Sequence, residues 1–222
     1  MNENSSHPLD YIDINSYLSK EFNIIVNESD RGCILLCSSI LEHTLKEQFI
    51  KILPNEIKND KDIKNKLLHN SFDKNLNQAF LCRYIPFNIF QAINKLKSIR
   101  NKIAHNKLDF ELSKHREKIS EISELTAKGG AYYFSKVSLE IHIANIVKTL
   151  LNNNTPSEFK TFEEILDYIK TKKEFHSSIE LKALKIELSL STLVLISCIN
   201  FHFEEALTLL EGEKTISQIK KT

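Results

Sequence analysis

Glycine and proline are scarce in this chain of 222 residues, four of each, and tryptophan is absent. Tight turns draw on glycine and proline, and an all-β protein needs many of them, so the composition points away from sandwiches and barrels and toward helices. Cysteine is equally sparse. Cys33, Cys37, Cys82 and Cys198 show no Cys-x-x-Cys spacing, and the first two lie one helical turn apart in an apolar stretch, as small core residues do. Neither sign of charge dominates: 30 basic against 29 acidic side chains leave a formal charge of +1, which rules out a globally basic nucleic-acid coat but not a local patch. The opening MNENSSHPLD has neither the basic start nor the apolar stretch of a secretory signal, so a cytoplasmic, reducing location is the expectation. The longest uncharged run, LSLSTLVLISCINFHF from Leu188 to Phe203, falls short of the roughly 18 apolar residues of a membrane span and includes Asn200 and His202. A buried helix is expected there, and no membrane partner.

What is present is helical periodicity. Cys37, Leu41, Leu45, Phe49 and Ile52 recur at spacings of four and three, predicting a helix that Asp30 can cap and that crosses the core. A polar connection follows over residues 55–66, then a helix around 73–84. Pro86 suits the first turn of the next helix, whose buried face is Ile89, Ile93, Leu96, Ile99 and Ile103. LDFELS reads as a loop, and a modest helix over 114–126 ends at Gly129 and Gly130. The next segment, YYFSKVSLEIHIANIVKTLL, is apolar on more than one face, as a helix between neighbours would be. Capping-box patterns at Thr155 and Thr161 predict a helix start at one of them, and another at Ser177 opens a final helix that stops at Gly212. The expected organisation is an all-α helical core over 8–152 with a C-terminal helical extension, 153–222, packed on it.

Function concentrates in INKLKSIRNKIAHNKLDFEL. Between Lys95 and Lys118 there are eight Lys or Arg residues against three acids, a local excess of about five. A lysine-rich solvated face accounts for that equally well. Asn101 and His105, four apart, share one side of a helix, while Arg100 points elsewhere but has the length to reach round. A fixed cation beside an imidazole suits proton transfer next to a phosphate. By chemistry alone the same residues are what a helix C-terminus uses to satisfy its last carbonyls. Lys97, Lys102 and Lys107 of this patch are candidate binding residues, and Glu42 is a candidate partner that orients Arg100 by an ion pair; Glu42 and its neighbour His43 lie equally well on a wet face. The other histidines show no metal-ligand spacing, and no phosphate loop or dinucleotide fingerprint is present, so no metal and no cofactor are expected.

RNKIAH resembles the Arg-x-x-x-x-His motif, commonly R-N-x-x-A-H, of the HEPN superfamily of helical proteins. DRGCILLCSSILEHTLKEQFIKIL and LNQAFLCRYIPFNIFQAINKLKSIRNKIAHN together resemble its mannitol operon repressor-type (MltR-like) branch, over about residues 28–112. The resemblance implies a HEPN-like helical bundle that often dimerises, setting two motifs in one cleft that cleaves RNA without a metal. Arg100 would neutralise the scissile phosphate, His105 would act as general acid or base, and Asn101 would support them. His105 is followed by Asn106 and Lys107, not by the His-x-Tyr pattern of some toxin members, so the nucleotidylation tied to that tyrosine is not expected. The functional expectation is a ribonuclease of the toxin or defence type, acting on RNA as a homodimer, with an antitoxin or other regulatory protein as a possible partner. The alternative is a non-catalytic MltR-like regulatory or interaction module. The apolar run at Leu188–Phe203 exceeds what one exposed helix needs and is a second reason to expect a homodimer.

Overall fold

The computed structural model describes residues 7–54, 56–57, 59–68, 70–105, 110–152, 164 and 173–219. A 3-10 turn at Pro8–Tyr11 is followed by α1 (Ile14–Ser19), α2 (Glu21–Asn27), α3 (Asp30–Lys51), α4 (Lys61–Leu68), α5 (Phe72–Leu81) and α6 (Phe87–His105). A second 3-10 turn at Leu112–His115 leads to α7 (Arg116–Thr126), α8 (Gly130–Asn152) and α9 (Lys173–Ile219). There is no strand among the described residues, and the fold is all-α.

The architecture is organised round α9, a helix of 47 residues, roughly 70 Å long at 1.5 Å per residue. From Leu184 to Ile199 nearly every position is buried, so this stretch needs neighbours on all sides. It has them: α9 packs against α8, α3, α7, α2 and the N-terminal 3-10 turn. By length and composition Ile179–Leu210 could cross a membrane, yet 72% of its most apolar window is buried inside the protein. The apolar run offered by the sequence to a second copy therefore lies within this chain's own core.

Buried hydroxyls on α9 are satisfied at close range. Ser191 and Thr192 donate to the carbonyls of Glu187 and Leu188, one turn back. Others bind neighbouring elements: the Tyr17 hydroxyl donates to the Ser189 carbonyl at 2.9 Å, Ser197 donates to the Pro8 carbonyl, and Asn200 donates to the Tyr11 carbonyl at 3.0 Å. Gln48 of α3 donates to the Asn200 side-chain oxygen at 2.6 Å. On α7, Ser123 donates to the buried carboxylate of Glu187 at 2.9 Å, and burial pushes that carboxyl above its ordinary range.

The predicted apolar faces lie in this core. Cys37, Leu41, Leu45 and Phe49 of α3 are buried, as are Ile89, Ile93, Leu96, Ile99 and Ile103 of α6. Several local expectations are corrected. The cap of α3 is Ser29, whose hydroxyl accepts from the Gly32 amide at 3.0 Å, and Asp30 is the first helical residue. The stretch expected as a polar connection overlaps α4, a short amphipathic helix in which Lys and Asn outnumber the apolar residues. Pro86 precedes α6, its carbonyl accepting the Phe90 amide at 3.1 Å. α9 starts four residues before Ser177 and runs through Gly212, because one glycine costs only about 1 kcal/mol in a helix. The capping patterns at Thr155 and Thr161 lie outside the described residues.

Gly129 and Gly130, where the sequence ends a helix, make a close turn between packed helices. Gly129 takes φ +76°, the left-handed region, and its amide donates to the Glu124 carboxylate at 3.0 Å. A Cβ on Gly130 would collide with the backbone carbonyl of Ser123. We expect Gly130→Ala to destabilise the protein by about 1–3 kcal/mol through overpacking, read as a lower urea midpoint at unchanged slope. An unchanged midpoint would mean that α7 and α8 are not in this close contact.

Candidate functional site

The site is built on the last two turns of α6 where they cross α3 and α5. Because Leu96, Ile99 and Ile103 turn inward to the core, Lys97, Arg100, Asn101 and Lys102 are left at the edge of that face or on the wet side of the helix. Arg100 is half-buried. Its Nη1 lies 3.5 Å from Oε2 of Glu42 on α3, and its guanidinium carbon sits 5.9 Å from the centroid of the Phe72 ring on α5. Glu42 is also bound on its other oxygen by Lys46, at 2.9 Å. Lys97 pairs with Asp73, at the start of α5. This cluster holds three cations, Lys46, Lys97 and Arg100, and two carboxylates, so one positive charge is uncompensated at the edge of the bundle.

Asn101 and Lys102 are exposed. His105 is the last residue of α6; its side chain lies outside the described residues, as does Lys107. By helical geometry Asn101 and His105 stand one turn apart on the same side. His43, considered beside Glu42, turns out to face solvent and pairs with Glu47 at 3.2 Å.

Sequence reasoning missed the groups that fix the end of α6. A helix C-terminus carries unpaired carbonyls and a partial negative charge, which disfavours an anion there. Arg31 answers both: its Nη2 donates to the Ile103 carbonyl at 3.1 Å. Its neighbour Asp30 accepts the Leu112 amide at 2.8 Å, where the chain returns after the motif. Two adjacent residues of α3 thus hold the chain on either side of the motif's exit. Arg31 stands inside the quoted DRGCILL stretch, but nothing local marks it as a cap for a helix 72 residues away. His115 was missed as well. It stacks on Phe110, centroids 5.1 Å apart, and burial, with Lys102 and Lys118 nearby, pulls its imidazole below the ordinary value.

No protein-family model, no curated protein and no solved structure matches the chain. The functional reading therefore rests on the residues and their geometry.

Chemically, the arrangement offers a guanidinium with donors beyond the one turned to Glu42, an amide, and exposed lysine charge beside a helix end already relieved by Arg31. Among the described residues no group of His, Cys, Asp and Glu is placed to hold a metal ion. We expect Arg31→Ala to cost about 1.5–3 kcal/mol, the value of a hydrogen bond to a charged group, and to speed amide exchange across 101–105 and 110–112 well beyond the change in α7 and α9. Uniform acceleration along the chain would sink the idea that Arg31 acts locally on the motif.

Proposed function

We propose that the chain is a HEPN-type RNA endonuclease that works without a metal, through Arg100, Asn101 and His105. The observation that carries this is that Arg100, the first residue of RNKIAH, is held by Glu42 of α3 beside the Phe72 ring, five residues before α6 ends at His105. Arg100 neutralises the scissile phosphate. The 2′-oxygen bonds to phosphorus while the bond to the 5′-oxygen breaks, leaving a cyclic phosphate and a 5′-hydroxyl. One imidazole takes the 2′-proton and another supplies a proton to the leaving oxygen, which two copies of His105 in one dimeric cleft would provide. Lys97, Lys102 and Lys107 add positive charge along the RNA backbone. A toxin or defence role in the cytoplasm, restrained by an antitoxin or another regulatory protein, belongs to the same proposal.

One observation favours a second reading. The Arg100 guanidinium already faces a carboxylate and an aromatic ring, as a purely structural arginine does. On that reading the same helices form a non-catalytic MltR-like regulatory or interaction module.

Cleavage of RNA should fall at least ~10²-fold in Arg100→Ala and in His105→Ala, the usual contribution of a positioned acid or base. Arg100→Lys should restore only part, since an ammonium lacks the planar two-pronged contact. EDTA should leave cleavage intact, and DNA, lacking the 2′-hydroxyl, should resist. Full cleavage by folded His105→Ala removes the motif from the mechanism, and a protein that binds partners but never cleaves supports the second reading. Light scattering at tens of micromolar should give a dimer; a monomer would rule out the composite cleft.

A further inference from the structure

A cleft of about 480 Å³ opens between α2, α8 and α9, lined by Asn23 and Asn27 of α2, His142, Asn145 and Lys148 of α8, and Lys182 of α9. Phe22, Val26, Ile146 and Ile186 supply its apolar part. Its residues belong to none of the motif's contacts. The volume is that of a small-molecule site, and the lining combines an apolar wall with a few convergent polar groups, as such sites do.

The polar side is ordered before anything binds. Asn23 donates to the Leu18 and Ser19 carbonyls at 3.1 and 3.2 Å, Asn27 donates to the Asn23 carbonyl at 2.8 Å, and Lys182 donates to the Asn27 side-chain oxygen at 3.1 Å. That ladder fixes Lys182 while using one of its three donors. Lys148 brings a second cation. Among the described residues no carboxylate lines the cleft, so the charges that line it are positive. Burial first, and then Lys182, pull the His142 imidazole below its ordinary value, which leaves a neutral ring able both to donate and to accept.

We infer that this cleft binds a mononucleotide, its phosphate on Lys148 and Lys182, and its base against Phe22, Val26 and Ile146 with its edge read by the Asn23 amide oxygen and the His142 ring. Two cations without an acid select an anion. The apolar wall selects against a bare one; with the Asn23 amide nitrogen engaged by Leu18 and Ser19, its oxygen offers an acceptor and the His142 ring a donor, matching the mixed edge of a nucleobase.

Titration calorimetry of the full chain with AMP, GMP, CMP and UMP, with adenosine and inorganic phosphate as separate arms, tests this. At least one nucleotide should bind saturably with Kd below ~1 mM, and adenosine and phosphate each at least about tenfold more weakly, one charged contact or the base contacts being lost. Lys148→Gln combined with Lys182→Gln should weaken the nucleotide by at least about tenfold, with circular dichroism to confirm folding; Lys148→Glu alone, at an exposed position, serves if the pair does not fold. Arg100→Ala should bind as wild type does. The inference is overturned if no nucleotide saturates, if phosphate or adenosine alone binds as tightly, if the lysine variants bind unchanged, or if Arg100→Ala abolishes binding, which would move the nucleotide to the motif.

Discussion

Everything in this fold answers to one constraint: a stretch of α9, Leu184–Ile199, that is buried on all sides. A helix without a wet face cannot settle on a single neighbour, and each side left open would cost the transfer free energy of its apolar groups, about 25 cal/mol per Å². α2, α3, α7, α8 and the N-terminal turn are the solution. The small hydroxyls of Ser189, Ser191, Thr192 and Ser197 let these neighbours approach, and each has a hydrogen-bonding role within the core. The motif helix belongs mainly to a second layer, packed chiefly against α7 and α3. Its outer edge is therefore free to present Arg100, Asn101 and Lys102.

That layering explains what was legible in the sequence. The apolar face of α6 could be read residue by residue from Ile89 to Ile103, because a second-layer helix keeps one buried and one wet side and so a clear 3.6-residue period. α9 has no such period between Leu184 and Ile199, where all its sides are buried, and its ends were misplaced because a capping pattern at Ser177 and a glycine at 212 read as boundaries that the helix runs through. α4 was missed for another reason: its apolar face is only about two turns long and sits in a lysine- and asparagine-rich stretch that reads as a connection. In the candidate site, the pairing of Glu42 with Arg100 could be anticipated as a charge interrupting an apolar helix opposite the motif. Asp30 and Arg31 could not, because their partners, Leu112 and Ile103, are backbone groups whose positions depend on how α3 and α6 pack.

On the proposed reading, the charges of the site also constrain how a phosphate would bind. Glu42 is the group a phosphate must compete with for Arg100, and an uncompensated carboxylate there would repel the ligand. Lys46 prevents that by holding the other carboxylate oxygen. A phosphate approaching Arg100 then meets a neutralised acid, and the guanidinium can turn a second edge outward without losing its first contact. The Phe72 ring serves the same end, since it attracts the guanidinium from 5.9 Å without consuming a donor.

The junction between α2 and α3 joins the motif to the central helix. Lys185 of α9, almost wholly buried, donates to the Glu28 carbonyl at 2.6 Å and pairs with Asp30 at 3.1 Å. Asp30 in turn holds Leu112, and Arg31 beside it holds Ile103. One turn earlier on α9, Lys182 holds Asn27 at the end of α2. Two lysines of the core helix thus grip the same short junction from which both ends of the motif's exit are fastened. Removing one partner of a buried ion pair typically costs about 3–5 kcal/mol, because the other charge is left unpaired. Lys185 and the end of α6 are thus joined by contacts through the adjacent Asp30 and Arg31, a route that involves neither Arg100 nor His105.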